Sequence, residues 1–213
     1  MDIQYLEKFN VFIIKNVFDK EINKKILEEI VKNEFNFNES IIGPENSRKH
    51  DPNIRSNTVA YYDNIYSENR EDSFLLKNID VLFRNISSLL STSPYPLHKF
   101  SHTNIHETQV SRYGNEQHYK WHTDSSVSDQ RLITFVYYPL FEPIKWKGGD
   151  IEISKSPIWN DEPINKDDVI KIKPENNLGL IFPSNIAHRV NTTSSSDIFE
   201  EGRFSVNCWI GIR

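Results

Sequence analysis

The 213 residues include a single cysteine, Cys208, a single methionine, Met1, and only 7 glycines. One cysteine excludes an internal disulfide and any cysteine-based zinc cluster, so stability must come from burial, and the expected compartment is the cytoplasm. No apolar run approaches the roughly 18–20 residues that a membrane helix needs. Met1 leads into Asp2 and Glu7 rather than into a basic and then apolar leader, so a soluble, unsecreted protein without membrane contact is expected. Positive charge is not in excess either: 25 Lys and Arg face 30 Asp and Glu. That balance argues against broad nucleic-acid binding and leaves room only for a local basic pocket. What the chain does have is bulk for a core, with 37% hydrophobic residues including 4 Trp, 9 Tyr and 13 Phe. A folded chain is expected, and its length suits one domain spanning 1–213.

Apolar residues recur at helical spacing in two places. Residues 19–33 carry Ile22, Ile26, Leu27, Ile30 and Val31 behind a candidate N-cap, Asp19, and residues 73–90 carry Leu75, Ile79, Leu82, Phe83, Ile86 and Leu89. Beyond His106 the pattern changes to short β-type runs at 107–113, 131–138, 150–154, 169–172, 178–182, 187–190 and 203–212, punctuated by Gly, Pro, Asn and Ser. The expected order is a helical part over about 1–100, then a barrel or sandwich over about 104–213, an α+β and mainly β architecture. The polar stretches 39–57, 154–168 and 191–201 read as loops.

The chemistry starts at His122-Thr123-Asp124, because residues two apart on an extended strand project to one face. Alone, such a pair is a common accident. It gains weight from His188, which follows the apolar run Leu180-Ile181-Phe182 and a Pro183 turn, where the third member of a two-His-one-carboxylate face would sit. That ligand set leaves positions open for substrate and oxygen at Fe(II). Arg203 then opens a strand whose faces differ: Arg203, Ser205, Asn207 and Trp209 on one, Phe204, Val206, Cys208 and Ile210 on the other. A buried polar face needs a buried polar partner, and a dicarboxylate would serve.

Together these residues resemble the Fe(II)- and 2-oxoglutarate-dependent dioxygenases, and most of all their prolyl-4-hydroxylase branch. The resemblance runs over about 109–213 and rests on an ordered set: Arg112-Tyr113-Gly114, Tyr119, His122-x-Asp124, Arg131-Leu132-Ile133-Thr134, Tyr137-Tyr138-Pro139, Gly148-Gly149-Asp150, Phe182-Pro183, His188, Arg203 and Trp209. It implies a double-stranded β-helix (jelly-roll) barrel with the N-terminal helices packed on one sheet. His122, Asp124 and His188 would bind iron. Arg203, Tyr138, Tyr113 and Ser205 would hold 2-oxoglutarate, with the planar Arg203 fork meeting its distal carboxylate. Trp209, Arg131, Arg55 and Tyr119 are candidates for the substrate pocket. The implied reaction consumes O2 and 2-oxoglutarate, with ascorbate as a candidate reductant, and hydroxylates an unactivated C–H bond of a prolyl or other residue in a protein or peptide while releasing succinate and CO2. One departure is the segment 193–199, longer than the family usually has before the basic residue, which loop entropy tolerates.

Several features read otherwise. His98, His102 and His106 stand four apart, but Pro94 and Pro96 precede them and argue against a metal-binding helix. His118 and His122 lack the following Glu of a zinc protease. Gly148-Gly149 lacks the Lys-Ser/Thr of a phosphate loop and reads as a close-packing device. Trp209 could equally fill the core. Other functions for the same residues are a binding module without turnover, or a metal-dependent hydrolase or isomerase in which Arg203 would meet no dicarboxylate. The polar stretches 39–57 and 142–147 read as a lid, with Arg48, Lys49 and Arg55 as a basic rim for an acidic or carbonyl-rich peptide.

Overall fold

A computed structural model describes residues 1–43, 49–103, 105–125 and 130–212. In chain order its strands are β1 (Asp2–Leu6), β2 (Val11–Lys15), β3 (Asn38–Glu39), β4 (Thr58–Tyr61), β5 (Ile105–Tyr113), β6 (Tyr119–His122), β7 (Arg131–Tyr138), β8 (Lys147–Gly148), β9 (Ile151–Ser154), β10 (Ile158–Trp159), β11 (Glu162–Pro163), β12 (Val169–Ile172), β13 (Leu178–Pro183), β14 (Ala187–Val190), β15 (Thr193–Ser194) and β16 (Arg203–Gly211). The helices are α1 (Lys20–Lys32), α2 (Tyr62–Ile65) and α3 (Phe74–Leu90). Eight strands form one antiparallel sheet in the order β1-β2-β13-β7-β16-β5-β4-β3, and four form a second, β12-β9-β14-β6. The fold is mainly β, two antiparallel sheets facing each other as in a double-stranded β-helix.

Both long helices start where a side chain can satisfy a free backbone N–H. Asp19 Oδ1 accepts from Ile22 N at 2.8 Å and Ser73 Oγ from Leu76 N at 3.1 Å. Glu29, buried on α1, reinforces the start of α3 by accepting from Ser73 Oγ at 2.7 Å and Leu75 N at 2.6 Å. The apolar stripe of α3, Leu75, Leu76, Ile79, Leu82, Phe83, Ile86 and Leu90, is buried, each side chain contributing about 1.5–3 kcal/mol.

The large sheet separates helices from cleft by strand alternation. On β7, Phe135 meets Phe83 of α3 at 5.5 Å and Tyr137 meets Phe18 at 5.1 Å, whereas Val136 and Tyr138 line the cleft. On β16, Phe204, Val206, Cys208 and Ile210 join the core, and Arg203, Ser205, Asn207 and Trp209 face the cleft. At Gly179 a Cβ would come within 2.8 Å of Val17 Cγ2 and 3.2 Å of Phe135 Cε2, so the packing of these side chains over β13 leaves no room for one.

The N-terminal part is not helical throughout: β1 and β2 extend one side of the large sheet, and β3 and β4 extend the other. Val11-Phe12-Ile13-Ile14 lacks alternation because it pairs with β1 and β13 and is largely buried, and a short continuous apolar run does not by itself distinguish strand from helix. The stretches read as loops also hold short ladders. β10 pairs β11, β15 pairs β8, and Ile42 pairs Lys49 in an isolated bridge. Residues 44–48 of the expected lid, Arg48 included, lie outside the described residues. In the second lid segment Trp146 is buried. Among the described residues no helix is long and apolar enough to cross a membrane.

Candidate active site

The smaller sheet brings two histidines together by register. β14 pairs β6 with His188 directly opposite His122, and their ring centroids lie 4.2 Å apart. Asp124 follows the end of β6 and is clipped to the turn after β13, its backbone N donating to Ser184 O at 2.9 Å. Its carboxylate reaches both rings, Oδ1 at 3.7 Å from His122 Nε2 and Oδ2 at 3.4 Å from His188 Nε2. Candidate ligand atoms of the three residues lie within 4.8 Å of one another, the one such group among the described residues.

The surroundings prepare these groups for a divalent metal. His122 Nδ1 lies 2.8 Å from Lys120 O and His188 Nδ1 3.0 Å from Ile186 O. Each carbonyl can only accept, so each Nδ1 carries a proton and donates, and the Nε2 of each ring, the atom available to a metal, faces Asp124. Burial first, and His188 next, push the His122 pKa down to about 3, so its ring is neutral at physiological pH. Burial acts to raise the Asp124 carboxyl, but His188, His122 and the Thr134 hydroxyl outweigh it and hold the group below its ordinary value. Thr134 Oγ1 donates to Asp124 Oδ2 at 2.8 Å and lies 2.9 Å from Ser184 Oγ, which fixes the carboxylate's orientation. The Trp209 indole N–H lies on the Asp124 side of the cleft and adds a small lowering effect, although no partner satisfies its hydrogen-bond geometry.

Arg203 lies in the same cleft, 1% exposed. Its Nε donates to Gly149 O at 2.7 Å, its Nη2 reaches the Tyr138 hydroxyl at 3.5 Å, and the rings of Tyr113 and Tyr138 lie 4.9 and 5.0 Å from the guanidinium carbon. Nη1 is buried without any partner. A buried guanidinium with no carboxylate beside it among the described residues is costly, and a small bound anion would relieve that cost. Burial pushes the Tyr138 hydroxyl up to about 12, against the pull of Arg203, so it stays protonated and able to donate to that anion. Burial likewise raises Tyr113, and Ser205 lines the cleft nearby. The donor set fits Fe(II) at the triad and a dicarboxylate reaching Arg203.

The other sequence-derived candidates divide. Tyr119 stacks on His122 with centroids 3.5 Å apart, and Arg55 lies over Tyr119 at 4.7 Å. Trp209 lines the cleft and carries Arg131 on its ring at 4.2 Å. Arg131 does not line the cleft. Glu107 holds it at 3.0 and 2.5 Å, and it donates to Asp124 O at 3.4 Å, so it braces Trp209 and the backbone of Asp124. His118 is engaged by Ser56 at 3.2 Å. The side chain of His106 lies outside the described residues. Sequence reasoning passed over Gln109 and Ser111, which with Asn207 form a neutral polar floor in which Ser111 Oγ accepts from Gln109 Nε2 at 2.8 Å and from Asn207 Nδ2 at 3.0 Å. Alternation along β5 was the signal that could have found them.

Gly149 joins fold and site. Its φ is +66°, and a Cβ there would lie 2.7 Å from Arg203 Cδ and 2.9 Å from Thr193 Oγ1. Gly149→Ala is therefore expected to destabilise the fold by about 1–2 kcal/mol and, by displacing Arg203, to weaken 2-oxoglutarate binding as well. Thermal melts of the iron-loaded protein with and without 2-oxoglutarate check this, with the larger loss expected when 2-oxoglutarate is present.

Triad, buried arginine and β-helix fit an iron- and 2-oxoglutarate-binding site, and sequence comparison points the same way. Residues 108–211, the barrel, match the family model of the 2OG-Fe(II) oxygenase superfamily. Among solved structures, the chain is similar to a prolyl hydroxylase from Trichoplax adhaerens in complex with a hypoxia inducible factor oxygen degradation domain peptide fragment. The TM-score is 0.66 at 18% identity, covering 97% of this chain and 85% of that one. It is also similar to a Pseudomonas putida prolyl-4-hydroxylase, at TM-score 0.63 and 15% identity over 95% and 92% of the two chains. A curated relative, an uncharacterised PKHD-type hydroxylase of Synechocystis sp., is 25% identical over 200 residues, 92% of this chain. This chain spans 61% of that relative's length. The barrel over residues 108–211 is thus similar to that superfamily, and its triad and buried arginine fit Fe(II) and 2-oxoglutarate.

Proposed function

We propose that the chain hydroxylates an unactivated C–H bond, with a prolyl or other residue of a protein or peptide as target. His122, Asp124 and His188 hold the metal, and Arg203 with the Tyr138 hydroxyl takes the distal carboxylate of 2-oxoglutarate. The observation that carries this reading is the unpartnered Arg203 Nη1, buried in the cleft into which the three ligands converge. When bound, Fe(II) and 2-oxoglutarate supply the oxidising power, with succinate and CO2 as co-products. The chain's own residues supply placement. Thr134 and Ser184 orient Asp124, the Nδ1 hydrogen bonds hold both imidazoles with Nε2 inward, and Tyr113, Tyr119 and Trp209 wall the cleft against water. A protein or peptide target is supported by the peptide in the Trichoplax complex. Anaerobic titration of the iron-loaded protein with 2-oxoglutarate, followed by oxygen and candidate peptides, tests the proposal. A metal-to-ligand charge-transfer band and succinate formed in step with hydroxylated peptide are expected; absence of the band would overturn it.

A further inference from the structure

A second arginine in the cleft is left without a role by the proposed binding of 2-oxoglutarate. Arg55 is 7% exposed and lies on a segment stitched to the edge of β6, where Ser56 N donates to His118 O at 3.1 Å and Lys120 N to Ile54 O at 2.9 Å. This pairing sets the guanidinium in the cleft wall, over the Tyr119 ring that stacks on His122. Its one side-chain hydrogen bond runs from Nε to Asn57 Oδ1 at 2.8 Å, a neutral partner. Among the described residues no carboxylate lies within ion-pairing distance, so the terminal nitrogens keep both charge and donors free. The arginines that do have a described ion pair sit outside the cleft: Arg70, Arg131 and Arg189 are held by acidic residues. Arg55 and Arg203 are the two cations that line the cleft, and both act on Tyr113.

We propose that Arg55 is a specificity-determining residue that receives a carboxylate of the substrate, so that the enzyme selects targets with an acidic group close to the carbon that reacts. The proposal rests on the reading of the chain as a peptide hydroxylase. Burial explains why such a contact would discriminate: a guanidinium shielded from water binds a carboxylate through two charge-assisted hydrogen bonds, and an amide cannot supply the charge. The carboxylate could belong to an Asp or Glu side chain or to a peptide C-terminus, and the two sources are separable.

The test uses iron-loaded protein with 2-oxoglutarate under nitrogen and a set of proline-containing peptides. Members differ only by Glu against Gln beside the proline, or by a free against an amidated C-terminus. Tryptophan fluorescence reads binding, and after oxygen is admitted mass spectrometry reads hydroxylation. Wild-type protein is expected to favour one acidic form by about tenfold or more. In Arg55→Met that ratio should fall toward one. Asn57→Asp, which places a carboxylate on Arg55 itself, should lower the ratio without removing the arginine and covers the case in which Arg55→Met fails to fold. Equal binding of acidic and amide peptides by wild-type protein would overturn the proposal. So would a loss of 2-oxoglutarate affinity in Arg55→Met as large as the loss of peptide affinity, which would assign Arg55 to the cosubstrate. If the charge-transfer band forms but no peptide binds, the peptide reading fails separately. Arg55 is then judged on N-acetylproline against its amide, and equal binding of those two by wild-type protein overturns it.

Discussion

Iron(II) retention is expected to collapse in His188→Ala, and equally in His122→Ala and Asp124→Ala, while the fold persists. Each residue supplies one of three converging ligand atoms, and a two-ligand site at the surface of a cleft competes poorly with water. The loss should exceed the ten- to hundredfold typical of removing a residue that only orients a ligand, such as Thr134 here. Folding does not depend on the metal in the way it does for a small zinc module, because the core of helices and large sheet is a continuous apolar cluster of which only a few members, such as Phe182, touch the triad. Each substitution also gives up one further contact: His122 the stacked Tyr119, His188 the Phe182 ring at 5.0 Å, and Asp124 the Thr134 hydroxyl. Iron retained per chain after anaerobic desalting, read beside circular dichroism, separates loss of metal from loss of fold. Undiminished retention in any of the three would remove that residue from the ligand set.

Much of this architecture was legible because single side chains carry unambiguous local meaning. Asp19 and Ser73 cap the helices that the apolar stripes predict, and β7, β12 and β14 begin and end where punctuation places them. The two-faced pattern of Arg203-Phe204-Ser205-Val206 shows in which side of β16 lines the cleft and which joins the core. What escaped depends on pairing between distant segments. The N-terminal strands add to the margins of the large sheet and their exposure follows from their neighbours, so the alternation Asp2-Ile3-Gln4-Tyr5 of β1 is not mirrored in its burial. Arg131 and Arg55 look alike in sequence, two arginines near aromatic residues. A glutamate 24 positions away on the neighbouring strand system neutralises one, and an asparagine leaves the other charged. Only tertiary structure tells a bracing cation from a free one.

Arg203→Ala should weaken 2-oxoglutarate by about 2–4 kcal/mol, on the order of one and a half to three decades in affinity. The size follows from burial: at 1% exposure the cosubstrate's carboxylate would lose its charge partner without gaining water in exchange. Tyr138 cannot compensate, because its protonated hydroxyl offers one neutral donor where the guanidinium offers a charged fork. Arg203→Lys separates charge from geometry. An ammonium keeps the charge but gives up the bond to Gly149 O that sets the fork's orientation and the contact with both tyrosine rings, so it should recover part of the loss only. Affinity is measured from the charge-transfer band of the iron-loaded variants under nitrogen, with iron content as the control that the triad is intact. Unchanged 2-oxoglutarate affinity in Arg203→Ala would mean that another cation holds the cosubstrate. Arg55, across Tyr113 in the same cleft, would then be the group to exchange roles with it.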